Sequence, residues 1–203
     1  MSNLTPATVV LLVTTVLVSF ASFGSEAVFR RFALYPYGVA REGNWHQTIT
    51  SGFLHADLTH LGFNMITLFF FGPTVERYLG TPSFLIVYFG SMLVGSLVTF
   101  VRKKEDPRYR AIGASGAISE VLFAFVLMAP FQKIYLLLVP IGIPAVLFAL
   151  GYIAVSAFGM KQGRGRIGHD AHLGGALAGL VLTIALSPQT FSSFLSQIRS
   201  VLG

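Results

Sequence analysis

The sequence predicts an all-α membrane protein, a bundle of six transmembrane helices formed by a single domain over residues 1–203. Of the 203 residues, 54% are hydrophobic and only 11% are charged, whereas a soluble domain carries about 25% charged residues. The mean hydropathy is +0.72. Apolar runs of membrane length alternate with short polar segments along the whole chain. A charge deficit of this size requires several spans, since one buried helix would not produce it.

Composition also excludes several classes of site. The chain contains no cysteine, which removes disulfides, zinc-thiolate centres and cysteine nucleophiles. The net charge of +6 is interpreted as cationic loops at lipid headgroups, because no basic stripe is interleaved with exposed aromatic residues as nucleic-acid binding would require. Membrane lipid is therefore an expected partner and nucleic acid is not.

Six apolar runs are predicted to cross the membrane. In chain order these spans cover residues 4–23, 58–71, 84–101, 113–128, 144–160 and 169–186. No basic residue precedes span one, so it is expected to be retained rather than cleaved as a signal peptide. Gly72-Pro73 is expected to end span two, which leaves Glu76 and Arg77 in a polar turn. Pro144 is expected in the first turn of span five, and Ser187-Pro188 is expected to stop span six.

The connecting segments differ in character. Residues 24–54 mix basic and aromatic side chains and predict a structured loop at the membrane interface. Residues 102–112 are the most charged segment of the chain. A partly inserted apolar loop is expected over 130–142, a mobile glycine-rich loop over 161–166, and a short amphipathic end over 189–203.

Polar residues open spans two, four and six. His60 and Asn64 lie in the first turns of span two, Ser115 opens span four, and His172 opens span six. Because consecutive spans alternate in direction, these three spans start on the same side, and the four side chains lie at one depth. Any one of them taken alone is better explained by packing or by the interface. Four together indicate a functional site, because polar groups inside a membrane are costly.

The spacing of small residues indicates that these spans lie side by side. Gly175 and Gly179 form a G-x-x-x-G pair, which allows helix backbones to approach closely in lipid. His172 shares their helical face. Ser115 and Ser119 are likewise one turn apart on one face of span four.

The residue types predict acyl transfer by a serine. Ser115 needs a base to take its proton, and His172 is the candidate base. The oxyanion formed by attack on an amide needs fixed donors, which the Ser115 backbone N–H and the side chains of His60 and Asn64 would supply. Asp170 lies off the helical face of His172, so no triad is assigned.

Other interpretations remain open at this level. A metal centre would use imidazole and carboxylate ligands suited to zinc or iron, drawn from His55, His60, His169, His172 and Asp170. That centre would leave Ser115 and the glycine pair without a role, so no metal and no cofactor is expected. Inverted repeats in the sequence would favour a small transporter, and no repeat is found. Glu120, inside span four, must be paired, protonated or facing water.

Three motifs occur in a fixed order. They are His-Ala-Asp-Leu-Thr-His-Leu-Gly-Phe-Asn over 55–64, Gly-Ala-Ser-Gly over 113–116, and Ala-His-Leu-Gly-Gly over 171–175 followed by Ala178-Gly179. Together, over residues 45–186, they resemble the rhomboid family of intramembrane serine proteases.

The resemblance implies a six-helix bundle with a water-accessible cavity and a lateral gate formed by span five. It implies a Ser115–His172 dyad, an oxyanion site from His60, Asn64 and the Ser115 amide, and substrates that are transmembrane segments of other proteins. Five further residues are expected to support the site: Gly113, Gly116, His55, Gly175 and Gly179.

The chain departs from the family pattern at three places. Trp45-His46-Gln47 stands where the family often has Trp-Arg. Ser119 stands where many members have an aromatic residue that packs on the catalytic histidine, and Glu120 stands where small residues are common. The alternative function is a non-catalytic rhomboid-like protein that binds client transmembrane helices. Such relatives lack the serine or the histidine, and this chain keeps both.

The distribution of positive charge conflicts with the orientation that the resemblance implies. Eleven of the 14 Lys and Arg residues lie in the loops on the side of the predicted site. The positive-inside rule would place that side in the cytoplasm. Bacterial relatives of this type usually open to the outside of the inner membrane, with both termini in the cytoplasm, and the expectation here follows that orientation.

Overall fold

The computed structural model describes residues 4–135, 141–162 and 169–202, without the side chains of 157–162, 169–171 and 202. Most of the predicted glycine-rich loop and the centre of the predicted apolar loop lie outside these ranges. The described chain forms ten α-helices, a 3₁₀ turn and a two-stranded hairpin. The helices are α1 Pro6–Phe23, α2 Glu26–Phe32, α3 Pro36–Glu42, α4 Gln47–Thr50, α5 Leu58–Leu79, α6 Thr81–Lys103, α7 Ser115–Met128, α8 Ala145–Gln162, α9 His169–Leu186 and α10 Pro188–Leu202.

Three of the described helices, α1, α5 and α6, are long and apolar enough to cross a membrane by themselves. Helices α9 and α10 meet the same criterion as a pair, but the chain bends by 105° between them. Helix α7 and the first part of α8 are apolar but shorter. The helical membrane architecture is therefore as predicted, with fewer helices of full membrane length than the six predicted spans.

The expected end of span two at Gly72-Pro73 is wrong, because α5 continues through both residues to Leu79. Glu76, expected in a polar turn, lies within α5, and its side chain is buried. Its carboxylate accepts hydrogen bonds from the backbone N–H groups of Ala7 at 3.0 Å and Thr8 at 2.8 Å. The glutamate thus satisfies donors at the start of α1 that no helical carbonyl reaches. This tie to α1 and the tolerance of proline in membrane helices explain why α5 continues.

Other boundaries were predicted more closely. Helix α9 has the predicted bounds, and Ser187-Pro188 separates it from an amphipathic α10. Pro144 is not in a helix. It ends the second strand of a hairpin formed by β1, Lys133–Tyr135, and β2, Gly142–Pro144. The predicted interfacial loop is structured by α2, α3, α4 and the 3₁₀ turn Ser51–Phe53.

Helix α7 is the centre of the bundle. Every residue from Gly116 to Leu127 is buried, and α5, α6, α8, α9 and α10 all pack against it. Most of its residues are apolar, which suits a helix that is enclosed by other helices. The start of α7 therefore places Ser115 where side chains from several helices can meet it.

Candidate active site

The turn before α7 holds His60 next to Ser115. Gly113 has a φ of +116°, a conformation that favours glycine, and its N–H donates to the carbonyl oxygen of Ser51 at 3.0 Å. A Cβ atom at residue 113 would lie 2.7 Å from Cε1 of His60 and 3.7 Å from Oγ of Ser115. The missing side chain thus leaves the space that the imidazole and the hydroxyl share.

The starts of α7 and α9 are in backbone contact. A Cβ atom at Gly175 would lie 2.7 Å from the carbonyl carbon of Gly116, and one at Gly179 would overlap the side chain of Glu120. The close approach predicted from the glycine pair is therefore present. Ser115 precedes Gly116, and His172 lies one turn before Gly175, so the two helix starts lie side by side.

A buried chain of hydrogen bonds leads from Asn64 back to α1. Nδ2 of Asn64 lies 2.8 Å from Nε2 of His55, and Nδ1 of His55 lies 2.9 Å from Oγ of Ser19. Ser19 donates its only hydroxyl hydrogen to the carbonyl oxygen of Phe53 at 2.9 Å. It must therefore accept from Nδ1–H of His55, which leaves Nε2 free to accept from the Asn64 amide. The network requires one neutral tautomer of His55.

The surroundings of His55 maintain that neutral form. Burial of the ring and the nearby His60 lower the pKa of His55 from its ordinary 6.5 to about 3, against an opposing effect of Asp57. The two histidine rings meet edge to face with centroids 4.9 Å apart. Asp57 caps α5 by accepting from the backbone N–H of His60 at 2.8 Å. His55 therefore remains an acceptor for Asn64 throughout the neutral pH range.

Two residues of this region were missed by the sequence analysis. Ser19 gives no signal, because one serine in an apolar run is ordinary. Tyr152 on α8 stacks on His172 with ring centroids 6.1 Å apart and ring planes 24° apart. A tyrosine within an apolar span needs a partner for its hydroxyl, and Ser119 provides it. That requirement was the available signal.

The described cluster does not account for every residue that the sequence analysis named. The side chains of His169 and Asp170, proposed for the alternative metal centre, lie outside the described residues. Glu120 is fully buried between α7 and Gly179, more than one helical turn beyond Ser115. Within the described part of the chain, no three acidic or histidine side chains are placed to hold a metal ion.

The fold and the cluster define a helical membrane protein in which a serine, three histidines and an asparagine lie at or near the starts of α5, α7 and α9. A family model described as the rhomboid domain matches residues 42–189. The chain belongs to the rhomboid family and is an integral membrane protein.

Three relatives illustrate the range of similarity. A Bacillus subtilis protein named "putative rhomboid protease" is 42% identical over 99 residues, which are 49% of this chain and 48% of that protein. A mitochondrial rhomboid-like protein of Arabidopsis thaliana is 30% identical over 151 residues, 67% of this chain and 45% of the relative. The mitochondrial rhomboid protein 1 of Saccharomyces cerevisiae is 34% identical over 139 residues, which are 66% of this chain and 39% of that protein. The chain thus spans about half the length, or less, of these curated relatives.

Proposed function

We propose that this protein is an intramembrane serine endopeptidase that cleaves transmembrane segments of other membrane proteins, with Ser115 as nucleophile and His172 as base. The observation that carries the proposal is the backbone contact between Gly116 and Gly175, which brings the first turns of α7 and α9 together. Small residues at such a contact serve packing in many membrane proteins. Here they stand directly beside the two residues that acyl transfer needs.

The proposed reaction proceeds through an acyl-enzyme. His172 removes the hydroxyl proton of Ser115 as Oγ attacks the carbonyl carbon of the scissile amide. The oxyanion is stabilised by the Ser115 N–H and by the side chains of His60 and Asn64. The C–N bond then breaks, and His172 gives its proton to the leaving amine. A water molecule, activated by the same histidine, hydrolyses the ester and restores the free serine.

The surrounding residues support these roles. Asn64 uses one Nδ2 hydrogen for His55, which leaves the second for the oxyanion. The ring of His60 lies over Gly113, beside Ser115. Such donors are most effective when they are fixed before the reaction begins. Asn64 is hydrogen-bonded to His55, and the ring of His60 packs against the ring of the same histidine.

The proposed location is the inner membrane of a bacterium, in a bundle that crosses the membrane six times. Identity to the bacterial relative, 42%, exceeds the 30% and 34% to the mitochondrial ones, although over a shorter stretch. Substrates would reach the serine past α8, the counterpart of predicted span five. The proposed reaction needs no cofactor.

The proposal is tested by labelling the purified protein in detergent with a fluorophosphonate, which reacts with activated serines. We expect labelling of the wild type and none of Ser115→Ala. His172→Ala should be as inactive as Ser115→Ala, because the two residues act as a unit. Cleavage of a transmembrane reporter should follow the same pattern.

The controls separate the proposal from the non-catalytic alternative. Both variants should retain the thermal unfolding midpoint of the wild type to within a few degrees. If the wild type does not label while another rhomboid protease labels beside it, the protein is not an active serine hydrolase. Binding of transmembrane helices without cleavage would then become the leading function.

A further inference from the structure

Tyr152 connects three parts of the candidate site. Its ring stacks on His172 with centroids 6.1 Å apart. Its hydroxyl forms a hydrogen bond with Oγ of Ser119, and its ring meets that of Phe123 edge to face with centroids 5.7 Å apart. The tyrosine belongs to α8, whereas these three contacts belong to α7 and α9.

The direction of these hydrogen bonds follows from the count of hydrogens. Oγ of Ser119 donates to the carbonyl oxygen of Ser115 at 2.6 Å. A serine hydroxyl has one hydrogen, so Ser119 must accept from the hydroxyl of Tyr152. The ring against His172 is thereby anchored, through Ser119, to the backbone of Ser115.

We propose that Tyr152 is a positioning residue that sets the orientation of the His172 imidazole toward Ser115. The inference rests on the proposed function, since it assigns Tyr152 a role in the same reaction. The aromatic residue that the sequence lacks at position 119 is supplied from α8, and Ser119 is the anchor that fixes it. The serine at position 119 and the tyrosine at position 152 therefore act as one unit.

The placement on α8 has a consequence for the reaction. The base is correctly oriented only while α8 is packed against α7 and α9. If α8 moves outward to admit a substrate, Tyr152 leaves His172, and the base loses its support until α8 returns. With such a movement, access of substrate past α8 and attack by Ser115 would be separate steps.

The test measures two quantities for each variant. They are the maximal rate of fluorophosphonate labelling and the fluorophosphonate concentration that gives half of that rate. Tyr152→Leu should lower the maximal rate by about tenfold to a hundredfold, because small displacements of a catalytic group have effects of that size, and should leave the half-saturating concentration unchanged. Tyr152→Phe keeps the stacked ring and should lose less than about tenfold, the value of one hydrogen bond. Phe148→Leu is the matched control, since Phe148 is an aromatic residue of α8 that packs on the core.

Two further variants distinguish positioning from a general packing role. Ser119→Ala and Tyr152→Phe remove the same hydrogen bond, so the double variant should be no slower than the slower single variant. The exchange Ser119→Tyr with Tyr152→Ser returns the ring to α7 and should recover most of the rate lost in Tyr152→Leu. A wild-type maximal rate in Tyr152→Leu, or an equal loss in Phe148→Leu, would overturn the inference.

A measurement that does not depend on activity separates this inference from the proposed function. In a histidine-labelled sample, the ring protons of His172, assigned with His172→Ala, should be shifted upfield by the stacked tyrosine. The shift should disappear in Tyr152→Leu and remain in Phe148→Leu. Without labelling of the wild type, the proposed function fails even if this shift is found. An unchanged His172 spectrum in Tyr152→Leu overturns the positioning role whether or not the protein labels.

Discussion

Asn64 shows how one side chain is fixed for its proposed role. The residue is buried, and its amide donates one hydrogen to His55. His55 is held in turn by Ser19 on α1. Sequence spacing alone places Asn64 one turn from His60, but it does not say what fixes the rotation of the amide. The rotation is fixed through His55, which is held by Ser19, a residue 36 positions earlier in the chain.

Removal of the Asn64 amide should slow the reaction without abolishing it. We expect Asn64→Ala to lower the labelling rate by about tenfold to a thousandfold, the range for loss of one oxyanion donor. Ser19→Ala keeps the donor but loosens His55, so its loss should be smaller. Rates measured from pH 6 to 8 should show no titration of His55, whose pKa is near 3. Wild-type labelling by Asn64→Ala would exclude the oxyanion role.

At the scale of helices, the close contact of α7 and α9 depends on Gly175. A methyl group at residue 175 would meet the backbone of Gly116, which cannot rotate away as a side chain would. We expect Gly175→Ala to lower the free energy of unfolding by about 1–3 kcal/mol or more, as overpacking does, and to reduce labelling strongly. Thermal unfolding and labelling in the same detergent would measure both effects.

Gly62 on α5 is the matched control for that change. A Cβ atom at residue 62 would have no neighbour within 4 Å, and alanine favours a helix over glycine. Gly62→Ala should therefore keep wild-type stability and labelling, although it lies only two residues from His60. If both substitutions were tolerated equally, the backbones of α7 and α9 would be farther apart at Gly175 than the structure shows.

The helices also show what the sequence could and could not predict. The bounds of α9 and its glycine face follow from local signals, the apolar run and the G-x-x-x-G spacing. The length of α5 does not, because Gly72-Pro73 is a local stop signal that a distant contact overrides. Glu76 gains five donors from Thr5, α1 and α6, and this tertiary contact outweighs the local signal. The pairing of Tyr152 with Ser119 is likewise invisible to periodicity within one helix.

The departure at Trp45-His46-Gln47 is explained at the same scale. Gln47 is buried, accepts from the backbone N–H of Tyr35 at 3.0 Å and donates to the carbonyl oxygen of Arg31 at 3.2 Å. His46 contacts the same carbonyl oxygen at 3.1 Å. The segment before α5 is therefore held against α2 without the arginine that the family pattern includes.

At the scale of the whole molecule, the sequence analysis assigns eleven of the 14 basic residues to loops on the side of the predicted site. Several of them are held by aromatic rings there. The guanidinium of Arg41 lies 3.6 Å from the ring centre of Tyr37, and that of Arg110 lies 4.0 Å from the ring centre of Tyr35. Such contacts favour arginine on structural grounds. The fold thus accounts for basic residues on this face independently of membrane orientation.

This explanation leads to a prediction about orientation. Because contacts with aromatic rings favour some of these basic residues, their number on the site-bearing face is a weaker guide to topology than the positive-inside rule assumes. We expect the face to open outside the cytoplasm and the C-terminus to lie inside. A fluorescent protein that matures in the cytoplasm should therefore be bright when fused after Gly203, while alkaline phosphatase at the same position should be inactive. Active phosphatase with a dark fluorescent fusion would place the starts of α5, α7 and α9 in the cytoplasm, and the charge rule would then describe this protein correctly.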